Sequence, residues 1–265
     1  MKKKILALAI AAIMVVTAVA SVSLAYLQDS DYDKNTMTVG NVKIVQNETK
    51  RDGTAYEDNL KLLPAVYPTG ALTKDLEIDD TNGAKINVWG ESVNNEIDKF
   101  VSVTNTGSEE AYIRTIIAFE TQRHYAPNTD TLVADLWDRY LCINGSFDFI
   151  NRYVTIDGVE YAICAYTYKG TSGDGKIQPN ETTESSLRQI FLSPEAGNEF
   201  FQYIGAKYDI LVLSQAVQTA GFENADQALN AAFGDLATVE DSKLIEWLST
   251  TTPKTTANDN TIAGN

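Results

Sequence analysis

Two stretches of the chain, 111–120 and 208–218, are apolar on both faces that a β-strand presents. In the first, Ile113, Ile117 and Phe119 alternate with Tyr112, Ile116 and Ala118. Successive side chains of a strand point to opposite sides. Such strands are stable only where both faces are covered, in the middle of a sheet and inside a layered fold. The flanking segments supply partners. The segment 97–105 reads as a strand joined to 111–120 in a hairpin across Thr106-Gly107-Ser108. Asn144-Gly145 and Asp157-Gly158 are two-residue turn signals, because a type I′ turn needs positive φ at both positions. They predict a meander of 139–143, 146–156 and 159–168. Along 36–45 the apolar phase moves from Met37 and Val39 to Val42 and Ile44, as expected of a β-bulge at Gly40-Asn41.

Helices enter late. A helix is expected from Pro194 to Tyr203, since proline suits a first helical turn. Asn224 and Gln227 have capping-box spacing, Ala225, Ala228, Leu229, Ala232 and Phe233 form one stripe, and Gly234 closes it. A further helix is expected over 239–248. The segment 47–70 is polar and irregular, and 249–265, rich in Thr and Asn, is expected to be a disordered tail. Nine or ten strands with a few late helices predict a mainly-β fold: an antiparallel two-sheet sandwich with helices outside.

The first 25 residues are read as a signal peptide. Lys2-Lys3-Lys4 forms a positive start, 5–22 is almost wholly apolar, and Ser23-Leu24-Ala25 places small residues at −3 and −1. Cleavage is expected between Ala25 and Tyr26. The whole chain of 265 residues has a formal net charge of −15. Removing the leader takes away three lysines and no acid, so the expected mature protein of 240 residues has 18 basic and 36 acidic groups. That balance argues against nucleic acid as a partner. Contact with a membrane is expected only through the leader, before cleavage.

Catalytic chemistry finds little support. The single histidine, His124, excludes multi-histidine metal motifs, and no GxSxG elbow accompanies it. Asp29-Ser30-Asp31-Tyr32-Asp33 begins like a calcium loop but has Lys34 and Gly40 where glycine and glutamate are needed; Asp79-Asp80-Thr81-Asn82-Gly83 reads as a turn. No enzyme, metal or cofactor is expected. In the meander register the two cysteines, Cys142 and Cys164, lie roughly 16 Å apart, too far for a disulfide. They are expected to be free, buried thiols despite export.

Leu24-Ala25-Tyr26-Leu27-Gln28-Asp29-Ser30-Asp31, followed by Asn35-Thr36-Met37-Thr38-Val39-Gly40-Asn41-Val42, resembles the junction of the secreted bacterial family that depends on the SipW-type signal peptidase, the TasA/camelysin-like biofilm matrix proteins. Looser matches are 99–108, Ala111-Tyr112-Ile113-Arg114 and 208–218; a long insertion at about 121–206 departs from the pattern. The resemblance implies a jelly-roll-like domain over 26–248 with flanking helices, in a non-enzymatic fibre protein of the extracellular matrix or cell surface. Its camelysin branch implies a metal-dependent peptidase, for which this chain lacks a zinc motif. The expected mechanism is self-assembly into a homopolymer. The freed end would donate Tyr26, Leu27, Tyr32, Met37 and Val39 to the open sheet edge of the next copy. The alternative is a monomeric extracellular binding or adhesion module, its 13 tyrosines serving a glycan or protein partner.

Overall fold

The computed structural model describes residues 30–33, 36–39, 41–55, 76–79, 85–89, 96–193, 195–196 and 208–249. They form a mainly-β fold with a few flanking helices. The strands are β1 (Ser30–Asp33), β2 (Thr36–Val39), β3 (Ile44–Thr49), β4 (Leu76–Asp79), β5 (Lys85–Val88), β6 (Ile97–Asn105), β7 (Ala111–Thr121), β8 (Arg123–Tyr125), β9 (Leu132–Asp135), β10 (Leu141–Gly145), β11 (Asp148–Ile156), β12 (Val159–Thr167), β13 (Lys176–Ile177), β14 (Leu187–Leu192) and β15 (Ile210–Gln218). The helices are α1 (Leu136–Tyr140), α2 (Ala225–Phe233) and α3 (Asp241–Ser249).

The first sheet has the order β1-β2-β15-β7-β12-β11, with β13 also on β7; the second has the order β10-β14-β6-β3. β4 pairs with β5 and β8 with β9. Both doubly apolar strands are central, as expected. The odd-numbered residues Ile113, Ile117 and Phe119 of β7 meet Val101, Val103, Leu187 and Ile190 of the second sheet. The even-numbered Tyr112, Ile116 and Ala118 meet Leu229, Phe233, Leu244 and Leu248 of α2 and α3. The first sheet is therefore covered by a sheet on one side and by helices on the other.

Polar residues are threaded through this core in adjacent pairs. Thr115 stands opposite Ser214 between β7 and β15. The Thr115 hydroxyl meets Ser214 Oγ at 3.0 Å and Tyr168 OH at 2.9 Å. Tyr168 OH continues to Ser186 Oγ at 3.2 Å, and Ser214 Oγ donates to Gln46 Oε1 at 2.7 Å. The chain of hydroxyls satisfies groups that would be costly to bury alone.

Several sequence expectations are corrected. β6 and β7 form no hairpin, because they lie in different sheets. The loop between them is tied across: Thr106 N and Gly107 N donate to Lys43 O, and Asn105 Nδ2 donates to Glu109 O and Ile177 O. The strand read as continuous over 36–45 with a bulge is instead two strands in different sheets, β2 in the first and β3 in the second, and β3 runs on to Thr49, inside the stretch read as irregular; Gly40 lies outside the described residues.

The meander forms only in its second half. At Asp157-Gly158 φ is 51° and 86°, and Ile156 faces Val159 as expected. Asn144 and Gly145 have no positive φ; the Asn144 side chain donates to Asn87 O, and β10 leaves to pair with β14. A register shift between Phe149 and Arg152, with Asn151 at φ 54°, places Cys164 opposite Phe149 rather than Asn151.

Asn224 Oδ1 does accept the Gln227 N–H at 2.9 Å and α2 ends at Gly234, φ 94°. Ala225, Ala228, Leu229 and Phe233 are buried on its inner face. The expected helix over 194–203 falls largely outside the described residues, as do the expected tail beyond Ser249 and the leader.

Thr115→Val should destabilise the protein by about 1–3 kcal/mol, since it leaves the Tyr168 and Ser214 hydroxyls under-satisfied. Adding Tyr168→Phe and Ser214→Ala should recover part of the loss, read by urea unfolding.

Candidate assembly site

The expected donor segment divides. Tyr26 and Leu27, with the cleavage residue Ala25, lie outside the described residues. Tyr32 is in β1, opposite Met37 in the antiparallel β1–β2 pair. β2 lies parallel to β15 of its own chain, with Met37 opposite Gln215 and Val39 opposite Val217. All four residues of β2 are buried: Met37 and Val39 join the core beneath the helices, and Thr36 and Thr38 are only 5% exposed. β2 covers Ser214–Val217, the later half of β15. Along the earlier half, the Gln46 Nε2 amide donates to Val212 O at 3.3 Å, a side chain standing where a strand N–H would stand.

Across β15 from β2 lies a buried cation. Arg114 is 4% exposed. Its Nε donates to Gln215 Oε1 at 2.7 Å, one terminal nitrogen to Asn230 Oδ1 at 3.2 Å and the other to Gly234 O at 3.1 Å. Burial pulls its pKa down to about 10, offset in part by the charges of Asp235 and Asp226. The carbonyl end of α2 supplies the complementary partial negative charge. Gln215 Nε2 faces Met37 Sδ at 3.7 Å, so the network reaches the N-terminal strand directly. Arg114 also lines a cleft of about 520 Å³ with Lys169, Asp148, Asp226 and Asp235.

A second ionisable group, Glu120 of β7, lies beside the start of β15. Glu120 Oε2 accepts the Asp209 N–H at 2.9 Å, and Tyr208 OH donates to Glu120 O. Tyr161 of β12 stands opposite Glu120. Burial pushes the Glu120 pKa up to about 7; the Asp209 N–H opposes the rise and the Asp209 charge adds to it.

Other sequence candidates are dispersed. His124 lies on β8, and no group of three His, Cys, Asp or Glu side chains suited to a metal occurs among the described residues. Asp31 and Asp33 belong to β1, and Asp79 ends β4; 80–83 lie outside the described residues. Both cysteines are free. Cys164 is buried, and burial pushes its pKa to about 12. Cys142 is only half-buried, a correction: β10 is the outer strand of the second sheet and leaves it partly uncovered. Arg114, Gln215 and Glu120 were not anticipated. Their signal was present as charged or amide residues inside otherwise apolar strands, where burial of an unpaired charge is rare.

No family model, curated protein or solved structure matches the chain.

Glu120 has a folded pKa above its unfolded one, so its ionised form opposes folding. The penalty is absent below about pH 4.5, grows as pH rises and is complete above about pH 7. Glu120→Gln should therefore stabilise the protein by about 1–3 kcal/mol at pH 8 and leave it unchanged at pH 4, in paired thermal melts. Native protein should react with a thiol reagent at Cys142, and at Cys164 only after unfolding.

Proposed function

We propose that the protein is a secreted, non-enzymatic structural component of the extracellular matrix or bacterial cell surface. In this reading it is a TasA/camelysin-like, jelly-roll-like domain that assembles into fibres by exchange of its N-terminal strand. The observation that carries the reading is the parallel seat of β2 on β15. It is short, lies near the sheet edge and is filled by the segment that export cleavage would bring close to the new N-terminus. A neighbouring copy offers the same Thr36–Val39 sequence, so exchange in trans reproduces every contact made in cis.

The energetics suit exchange. Burial of Met37 and Val39 contributes about 3–6 kcal/mol, against about 4–8 kcal/mol for ordering four residues. These two terms nearly cancel, so the ladder bonds of β2 to β15 decide the balance, and the seat can be vacated. Net negative charge opposes close approach of copies, so high salt or low pH should favour assembly.

Protein beginning at Tyr26 should form filaments in electron micrographs somewhere between about pH 4 and 8, most readily at high salt. Thr38 and Ala216 face each other across β2 and β15. With Cys142 and Cys164 replaced by alanine, a Thr38→Cys/Ala216→Cys disulfide formed in the monomer should block filaments, and reduction should restore them. Filaments that form equally well with the lock closed, or monomers under every condition with it open, contradict strand exchange.

A further inference from the structure

The 7-stranded first sheet is wider than the 4-stranded second sheet, and β11 is its outer strand on the side away from β1. Phe149 and Tyr153 project from β11 on the same side as Cys164, toward the second sheet, as their pairing with Cys164 and Ala162 requires. The second sheet ends at β10, where Leu136, Trp137 and Tyr140 of α1, which follows β9 directly, pack with Phe119 and Leu141. Three of the four exposed large apolar side chains among the described residues gather there: Tyr125 and Leu132, each 45% exposed, and Phe149, 37% exposed. Tyr125 and Leu132 are a cross-strand pair.

Phe149 belongs to a packed group of rings. Phe149 packs on Tyr153 at 5.4 Å and on Trp137 at 5.3 Å, and Trp137 stacks on buried Phe119 at 5.6 Å with an interplanar angle of 10°. Tyr153 OH and Trp137 Nε1 both donate to the Asp135 carboxylate, which Thr121 also contacts. The Arg123 guanidinium lies 4.0 Å from the Tyr153 ring centre and 5.8 Å from that of Tyr125. Its charge is engaged by Glu160, at 2.9 Å from Nε.

We propose that this strip is a binding platform for a neutral polysaccharide. A sugar ring has an apolar C–H face bordered by hydroxyls, and aromatic faces with acceptors at their rim match both. Asp130, two residues before Leu132, is exposed, and the Asp135 carboxylate lies among the rings. Polyanions are disfavoured because the one cation of the strip is already paired and the chain is strongly acidic. A protein partner of ordinary size needs a broad apolar centre, and three exposed side chains are too few. The ordering cost on binding is low for Trp137 and Tyr153, which Asp135 holds, and for Phe149, which packs on both.

The platform is independent of the N-terminal seat, so the disulfide-locked monomer is the protein to test. Its migration is followed in native gels containing laminarin, dextran or hydroxyethyl cellulose, and its retention on cellulose and chitin is measured. At least one polymer should retard or retain it, with little change in about 0.5 M NaCl. Phe149→Ala and Tyr125→Ala should each weaken binding about tenfold, roughly 1.4 kcal/mol, and Val45→Ala, exposed on β3, should not. Several results overturn the proposal: no polymer binds, the ring variants bind as the parent does, salt abolishes retention, or the ring substitutions alter only protein association.

Discussion

The fold rests on the register between β7 and β15. At their centre two polar pairs stand side by side, Arg114 opposite Gln215 and Thr115 opposite Ser214. Because neighbouring residues of a strand point to opposite faces, one pair serves the helix layer and the other the interface between sheets. A slip of one residue would turn Arg114 toward the second sheet and Thr115 toward α2, breaking both networks together. Apolar residues alone would not fix this, since both faces of both strands are hydrophobic and a slipped register would bury nearly as much surface. The two polar pairs thus select one register as well as stabilise it.

Once that pair is set, the remaining layers follow from what each face requires. Gly234, whose φ of 94° ends α2, presents its carbonyl to Arg114 and so fixes where the helix stops over the sheet. On the opposite face Tyr168 and Ser186 extend the Thr115–Ser214 contact toward β6 and β14, binding the second sheet to the first through hydroxyls as well as apolar side chains. The unequal widths of the sheets then leave an overhang at β11, and aromatic rings rather than a further strand occupy it.

The central strands, the Asp157-Gly158 turn and the capped helix α2 were legible because each is decided by local chemistry: two-faced apolarity, positive φ in adjacent turn residues, and an asparagine three residues before glutamine. What was not legible is where the chain changes sheet. Thr106-Gly107-Ser108 and Asn144-Gly145 both carry turn chemistry, but each is drawn across the sandwich by distant partners. Lys43 O holds the Thr106 loop, and Asn87 O with Ser186 O holds the segment after β10. Turn composition reports that the chain bends, whereas the sheet it joins depends on contacts many residues away. For the same reason the β11 bulge escaped notice, since nothing in Ile150-Asn151-Arg152 demands one until Phe149 must reach Trp137. At the proposed assembly site Met37 and Val39 stood out as apolar residues in an acidic segment, but Gln215 and Arg114, which follow them across the sheet, could be identified only once the register was known.

The seat of β2 joins these themes. Gln215 holds Arg114 with its oxygen and faces Met37 with its nitrogen. The groove that receives β2 is therefore shaped by the same network that sets the central register. A network anchored at three points, Gln215, Asn230 and Gly234, keeps its form when one weak contact to a methionine sulfur is lost. The groove can then stay folded while its occupant leaves, which strand exchange requires: an acceptor that collapsed on vacancy would have to be rebuilt before each addition. Rigidity beside the strand and a small margin of binding in the strand itself are separate properties, and here they fall on different residues. Arg114 and Gln215 provide the first, and the short run Thr36–Val39 provides the second.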